Sequence, residues 1–153
     1  MTAFTVTSTT SCKDSELRED FDLKTFRFSN ETEDTVLLRA FLNNPDSLLR
    51  AEVIPPGGTL ELESASWGGL APPFSAPCCR DWYVDRVQFE SVRYGCTQFS
   101  DPQETRTTYA EGEGPFNGLN YQEYDPNLSD DQQPAQWTYL IDSTTFAQGT
   151  PCR

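Results

Sequence analysis

From residue 22 onward the side chains alternate with a period of two. Leu23, Thr25 and Arg27 interleave with Lys24, Phe26 and Phe28, so successive residues point to opposite faces, as in a half-buried strand. The polar stretch Asn30-Glu31-Thr32-Glu33-Asp34 predicts a turn, and a second strand follows over residues 36–43. Asn44-Pro45-Asp46-Ser47 has proline where a type I turn presets φ, which makes residues 48–54 the next strand. That strand is closed by Pro55-Pro56-Gly57-Gly58, after which Thr59-Leu60-Glu61-Leu62-Glu63 places both leucines inward and both glutamates in water. These four segments predict an antiparallel meander.

Residues 64–81 predict a long loop, because Trp67-Gly68-Gly69, Pro72-Pro73 and Pro77 interrupt the continuity a ladder needs. A long strand is expected over residues 82–94, where the change of phase between Val84 and Val87 predicts a bulge or an edge. Residues 98–136 form a second long irregular region in which only residues 105–109 read as a strand. The closing strand, residues 137–146, puts Trp137, Tyr139 and Ile141 on one side and Leu140 on the other. With a further strand at residues 4–8 the count reaches seven or eight, the complement of an all-β antiparallel sandwich or jelly roll with two long irregular loops. The one helical candidate is residues 14–20, with Asp14 or Ser15 as its cap. There is no internal repeat, and 153 residues make one domain.

Composition agrees with strands and turns: 11 prolines, 9 glycines and many threonines. Leu, Ile, Val and Phe together supply only about a fifth of the chain, close to the level at which chains stay disordered. Aromatic residues make up 12% and must carry much of the burial. A net charge of −13 argues against nucleic acid and anionic membranes as partners. The absence of histidine removes Ser-His-Asp and Cys-His catalysis, His-ligated zinc and imidazole switching. The longest apolar stretch, residues 36–42, is interrupted by Arg39 and falls far short of the ~20 residues of a spanning helix. The first residues lack the basic segment and apolar run of a secretory signal.

Five cysteines run from end to end: Cys12, Cys78, Cys79, Cys96 and Cys152. Adjacent Cys78 and Cys79 do not make a zinc knuckle, so disulfides are the expectation: Cys12 with Cys152, and Cys96 with Cys78 or Cys79. That pairing implies an extracellular or surface-exposed protein; five reduced thiols in a cytoplasmic one are the alternative. Two glycosylation triplets, Asn30-Glu31-Thr32 and Asn127-Leu128-Ser129, matter only on a eukaryotic secretory route.

Asp125, Asn127, Ser129 and Asp131 offer oxygen side chains at alternate positions, as a calcium loop begins. An EF-hand would next need glycine and later glutamate where this chain has Asp130 and Gln136, so a solvated acidic loop is the preferred reading and no cofactor is expected. Carboxylate pairs able to run glycosidic chemistry are not distinguishable among so many acids. Arg80, Arg86 and Arg93 near the long strand are expected to pair with surface carboxylates.

Aromatic residues in the loops are the strongest functional lead. Trp67, Phe74, Trp82 and Tyr83 flank the first loop, and Tyr109, Phe116, Tyr121 and Tyr124 lie in the second among Gly, Asn, Gln and Asp. Rings stack on the C–H faces of sugars while amides and carboxylates meet hydroxyls, which suits recognition of carbohydrate or a protein surface. Trp67, Phe116, Tyr121 and Tyr124 are the expected ligand contacts, with Trp67, Tyr121 and Tyr124 the most exposed. The segment from Phe26-Arg27-Phe28-Ser29-Asn30 to Val53-Ile54-Pro55-Pro56-Gly57-Gly58-Thr59-Leu60 is similar to a pattern of β-sandwich domains, aegerolysin-like membrane-binding proteins among them. The resemblance implies fold and no function. The sequence therefore predicts a non-enzymatic recognition module. Its alternatives are a self-associating structural protein (capsid, fibre or surface component), a membrane-active sandwich and, last, a glycosidase.

Overall fold

The computed structural model describes residues 21–42, 47–67, 84–100, 110, 112–129 and 132–152. Within them the fold is all-β: β1 (Phe21–Asn30), β2 (Val36–Leu42), β3 (Leu48–Ile54), β4 (Thr59–Trp67), β5 (Val84–Ser91), β6 (Gly95–Ser100), β7 (Gln136–Ile141) and β8 (Thr150–Pro151). They form a three-stranded sheet in the order β4-β1-β7 and a five-stranded sheet in the order β3-β2-β5-β6-β8. The strand expected at residues 4–8, the helical piece at 14–20 and the strand at 105–109 lie outside the described residues.

Alternation along each strand supplies the inner faces of the two sheets. Phe26 and Phe28 of β1 and Trp137, Tyr139 and Ile141 of β7 meet Val36, Leu38 and Ala40 of β2, Val87 and Phe89 of β5 and Phe99 of β6 in one buried cluster. Rings bridge the two layers: Phe28 lies 6.4 Å from Phe89, and Phe89 stacks on Tyr139 at 6.0 Å. With few aliphatic residues available, these wide side chains are what fill the gap between sheets.

The expected meander is not what forms. β1 pairs with β4, β2 pairs with β3 in the other sheet, and β1 runs parallel to β7. Period-two alternation fixes which face a strand buries but not which neighbour it takes, and residues 31–35 carry the chain from one layer to the other. The strand expected at residues 82–94 is instead a hairpin, β5 and β6 joined through residues 92–94, with Ser91 facing Gly95. Gly95 holds φ +85, a conformation open to glycine at little cost. Ser91 Oγ tightens the turn by accepting from the N–H groups of Arg93 and Tyr94. The phase change in β5 is a bulge: Phe41 faces Arg86 while Leu42 faces Val84, so Asp85 is the extra residue and both Val84 and Val87 reach the core. β4 continues through Trp67, past the expected loop start at residue 64, and the closing strand stops at Ile141 before one helical turn, Thr145–Gln148.

Asn30 is the node at the crossing between layers. Fully buried, its Nδ2 donates to the carbonyls of Asp34 (2.8 Å) and Ile54 (2.9 Å), and its Oδ1 accepts from the Thr32 N–H (2.9 Å) and hydroxyl (2.7 Å). Its backbone bonds Gly57 and Gly58 of the β3–β4 turn, and the next N–H, of Glu31, bonds Ile141 at the end of β7. One side chain thus satisfies donors and acceptors that two connections bring into the interior.

Candidate functional site

The second loop folds back on the sandwich. Phe116 is fully buried, and Tyr121 is only 3% exposed. The Tyr121 hydroxyl donates to the Pro115 carbonyl at 2.6 Å, and its ring contacts Phe26, Trp137 and Tyr139 at 5.4 to 5.6 Å. Tyr121 also bridges to Tyr139 along the open edge of β7, where Gln122 N–H bonds the Thr138 carbonyl and the Glu123 carboxylate takes the Thr138 N–H and hydroxyl. This loop therefore covers a sheet edge and ends the ladder there. The expectation of exposed rings is corrected for Phe116 and Tyr121, because burying them closes the core. Tyr124 is half-buried, edge-on to Trp137 at 5.3 Å. Trp67 contributes its backbone to β4, and its ring, like Phe74, Trp82, Tyr83 and Tyr109, lies outside what is described.

The acidic loop is organised by an amide. Buried Gln133 accepts the Asp125 N–H through Oε1 (3.0 Å) and donates through Nε2 to the carbonyls of Asp125 (2.7 Å) and Leu128 (3.2 Å). The Asp125 carboxylate accepts the Asn127 N–H at 2.9 Å, an Asx turn, and the Ser129 N–H bonds the Gln132 side chain. Of the four side chains read as the start of a calcium loop, Asp125 thus spends an oxygen on the loop's own backbone, and Asp131 lies outside the described residues. No group of three or more His, Cys, Asp and Glu residues able to hold a metal occurs among the described residues. The same Gln133 presents its carbonyl to the buried Lys24 ammonium at 3.4 Å.

Cys96 and Cys152 form a disulfide with Cα atoms 5.5 Å apart. This corrects the expected partners of both: β6 and the C-terminal segment are neighbours, with Cys152 N–H bonded to the Cys96 carbonyl. Cys12, Cys78 and Cys79 lie outside the described residues.

A second chemical surface emerges on the outer face of the five-stranded sheet, where register sets Phe41, Arg86 and Ser100 in one row and Ala51, Arg39, Gln88, Gln98 and Thr150 in the next. Arg39 pairs with Glu90 at 2.7 Å and donates to Gln88 Oε1 at 3.4 Å. The Arg86 guanidinium lies 4.0 Å above the Phe41 ring and donates to Gln98 Oε1 at 3.5 Å; Gln88 Nε2 reaches that oxygen at 3.3 Å. Two donors on Gln98 Oε1 fix which end of the amide is oxygen. Its Nε2 finds no acceptor among the described residues, although Gln98 is only 3% exposed. A buried amide nitrogen with no acceptor among the described residues has lost water's bonds without regaining them there, which makes it a candidate donor to a ligand oxygen.

Sequence reasoning treated Arg39 only as an interruption of an apolar run and passed over both glutamines. The available signal was the polar residues at outward positions of β2, β5 and β6, which are neighbours in the sheet. Among the described residues, arginine–carboxylate pairs join Arg27 to Glu61, Arg39 to Glu90 and Arg50 to Glu52, positions other than the Arg80, Arg86 and Arg93 expected to pair. Arg93 lies 5.6 Å above the Tyr94 ring, and Arg80 is outside the described residues.

Among the described residues two ionisable groups are shifted. The Ser91 hydroxyl, then the Arg93 N–H, hold the Asp34 carboxyl below its ordinary value. Burial, then the nearby Asp142 charge, raises the Tyr139 phenol, which stays neutral. No helix among the described residues is long and apolar enough to cross a membrane. Against known proteins the chain matches no family model, no curated protein and no solved structure, which leaves this geometry as the ground for its function.

Proposed function

We propose that the protein is a non-enzymatic, extracellular recognition domain that binds a glycan on the outer face of its five-stranded sheet. The observation that carries the reading is the buried Gln98 amide, whose Nε2 protons lack an acceptor among the described residues beside two guanidiniums and an aromatic ring. Sugar hydroxyl and ring oxygens supply acceptors, and fixed strand positions hold the donors without an ordering cost at binding. The Cys96–Cys152 disulfide supports an oxidising location.

An array of neutral and acidic oligosaccharides tests this with wild type, Gln98→Glu and Trp67→Ala. Gln98→Glu keeps the oxygen that Arg86 and Gln88 use and deletes the donor. Loss of about tenfold or more in affinity, roughly the 1.4 kcal/mol of one hydrogen bond, with thermal stability retained is the expected result. Undiminished binding by Gln98→Glu refutes the site, and loss only in Trp67→Ala returns recognition to the first loop.

A self-associating structural protein is the second reading. Among the described strands β3 ends its sheet, and it exposes Leu48 (52%) and Val53 (65%), which suits edge-to-edge pairing with another copy. Light scattering decides: a concentration-independent monomer removes it.

A further inference from the structure

The two glycosylation triplets occupy opposite environments. In Asn30-Glu31-Thr32 the asparagine is fully buried, its Nδ2 donates to the Asp34 and Ile54 carbonyls, and its Oδ1 takes the Thr32 hydroxyl. Both the nitrogen that would be modified and the hydroxyl of the third residue are occupied inside the protein. In Asn127-Leu128-Ser129 the asparagine is exposed on a turn closed by the Leu128 N–H to Asp125 carbonyl bond (3.0 Å). Its backbone N–H is held by Asp125, while its side-chain amide makes no hydrogen bond to a described residue. Leu128 and Ser129 are exposed beside it.

We infer that Asn127 is a site of N-linked glycosylation and that Asn30 is closed to it in the folded protein. The substrate is a lipid pyrophosphate-linked oligosaccharide. Asn127 Nδ2 attacks the anomeric carbon, the N–C bond forms as the C–O bond to phosphate breaks, the lipid pyrophosphate leaves, and one amide proton passes to a base of the transferase. A sugar on exposed Asn127 projects into solvent and displaces no hydrogen bond to a described residue. On Asn30 it would replace a proton that bonds a buried carbonyl, so a chain modified there cannot complete the crossing between layers. A buried asparagine and an exposed one, in triplets equally readable in the sequence, separate a structural amide from a modifiable one.

The test expresses the chain behind a cleavable secretory leader in eukaryotic cells. Folded, monomeric secreted protein is mapped by peptide mass after enzymatic deglycosylation in heavy-oxygen water. The same mapping is applied to the refolded, unmodified protein after incubation with a purified oligosaccharyltransferase and lipid-linked donor, which covers the case of a chain that is not secreted. The expected result is a glycan on Asn127, absent from Ser129→Ala and Asn127→Gln, with Asn30 unmodified and the melting temperature unchanged on deglycosylation. A folded protein carrying sugar on Asn30, or Asn127 left unmodified in both formats, overturns the inference.

Discussion

Truncating Asn30 to alanine tests whether one side chain holds the two layers in register. The substitution takes away the partner of two buried groups, the Ile54 carbonyl and the Thr32 N–H, while the Thr32 hydroxyl and the Asp34 carbonyl keep the bond they make to each other. Leaving a buried polar group unpaired costs about 1–3 kcal/mol, so two such groups at mid-range give a loss of about 4 kcal/mol. With an m-value of about 2 kcal/mol/M in urea, the midpoint should fall by about 2 M. Fluorescence reads this well, since Trp137 is fully buried. Asn30→Asp sharpens the test, because it keeps the acceptor for Thr32 while turning an oxygen toward two carbonyls; at pH 7 it should be at least as unstable as the alanine variant. An alanine variant whose midpoint moves by less than about 0.5 M at unchanged m would refute the role assigned to this amide.

Other expectations are equally direct. Tyr121→Phe removes the bond to the Pro115 carbonyl and should lose about 1 kcal/mol, while Tyr121→Ala should lose about 3–5 kcal/mol in the same urea experiment. Glycan binding by Tyr121→Phe should match wild type. Because the Asp34 pKa is lowered in the folded state, its contribution is present above the ordinary value of 3.8 and is lost as pH falls through the folded value. Urea midpoints of wild type and Asp34→Asn should therefore differ at pH 7 and converge as pH drops below about 4, and a constant gap would contradict the assignment. Cys152→Ser opens a link between positions 56 residues apart and should lose about 4 kcal/mol on the chain-entropy view, read as a lower melting temperature under oxidising conditions.

Alternation made β1 to β4 readable, with Leu60 and Leu62 turned to the core and Glu61 and Glu63 to water. Turn chemistry at residues 55–58 placed the β3–β4 connection, where Gly58 N–H bonds the Pro55 carbonyl. The hairpin at residues 91–95 was missed because its strongest cue, Gly95, sits at a strand start, and Val92 carried the apolar phase into a turn where it is fully exposed. Partners were not legible: nothing local distinguishes β4 from β2 as the neighbour of β1, or Cys152 from Cys78 as the partner of Cys96. Among the expected ligand rings, exposure was inferred from polar neighbours, and burial of Phe116 and Tyr121 depends on a docking of residues 114–121 that only the assembled core can specify.

The same shortage that makes the core aromatic also limits where recognition can occur. A chain with about a fifth of its residues as Leu, Ile, Val and Phe closes its sandwich only by recruiting rings from the second loop, so Phe116 and Tyr121 serve packing and leave that loop with polar atoms already bonded to one another. The outer face of the five-stranded sheet escapes that demand. Its side chains alternate away from the core, its backbone is fixed by ladders on both sides, and its two central glutamines are buried. Burying Gln88 and Gln98 there costs stability unless their amides are satisfied, and one nitrogen lacks a described partner. Replacing both by leucine should therefore raise the melting temperature while abolishing glycan binding, whereas a drop in stability would make the pair a structural network.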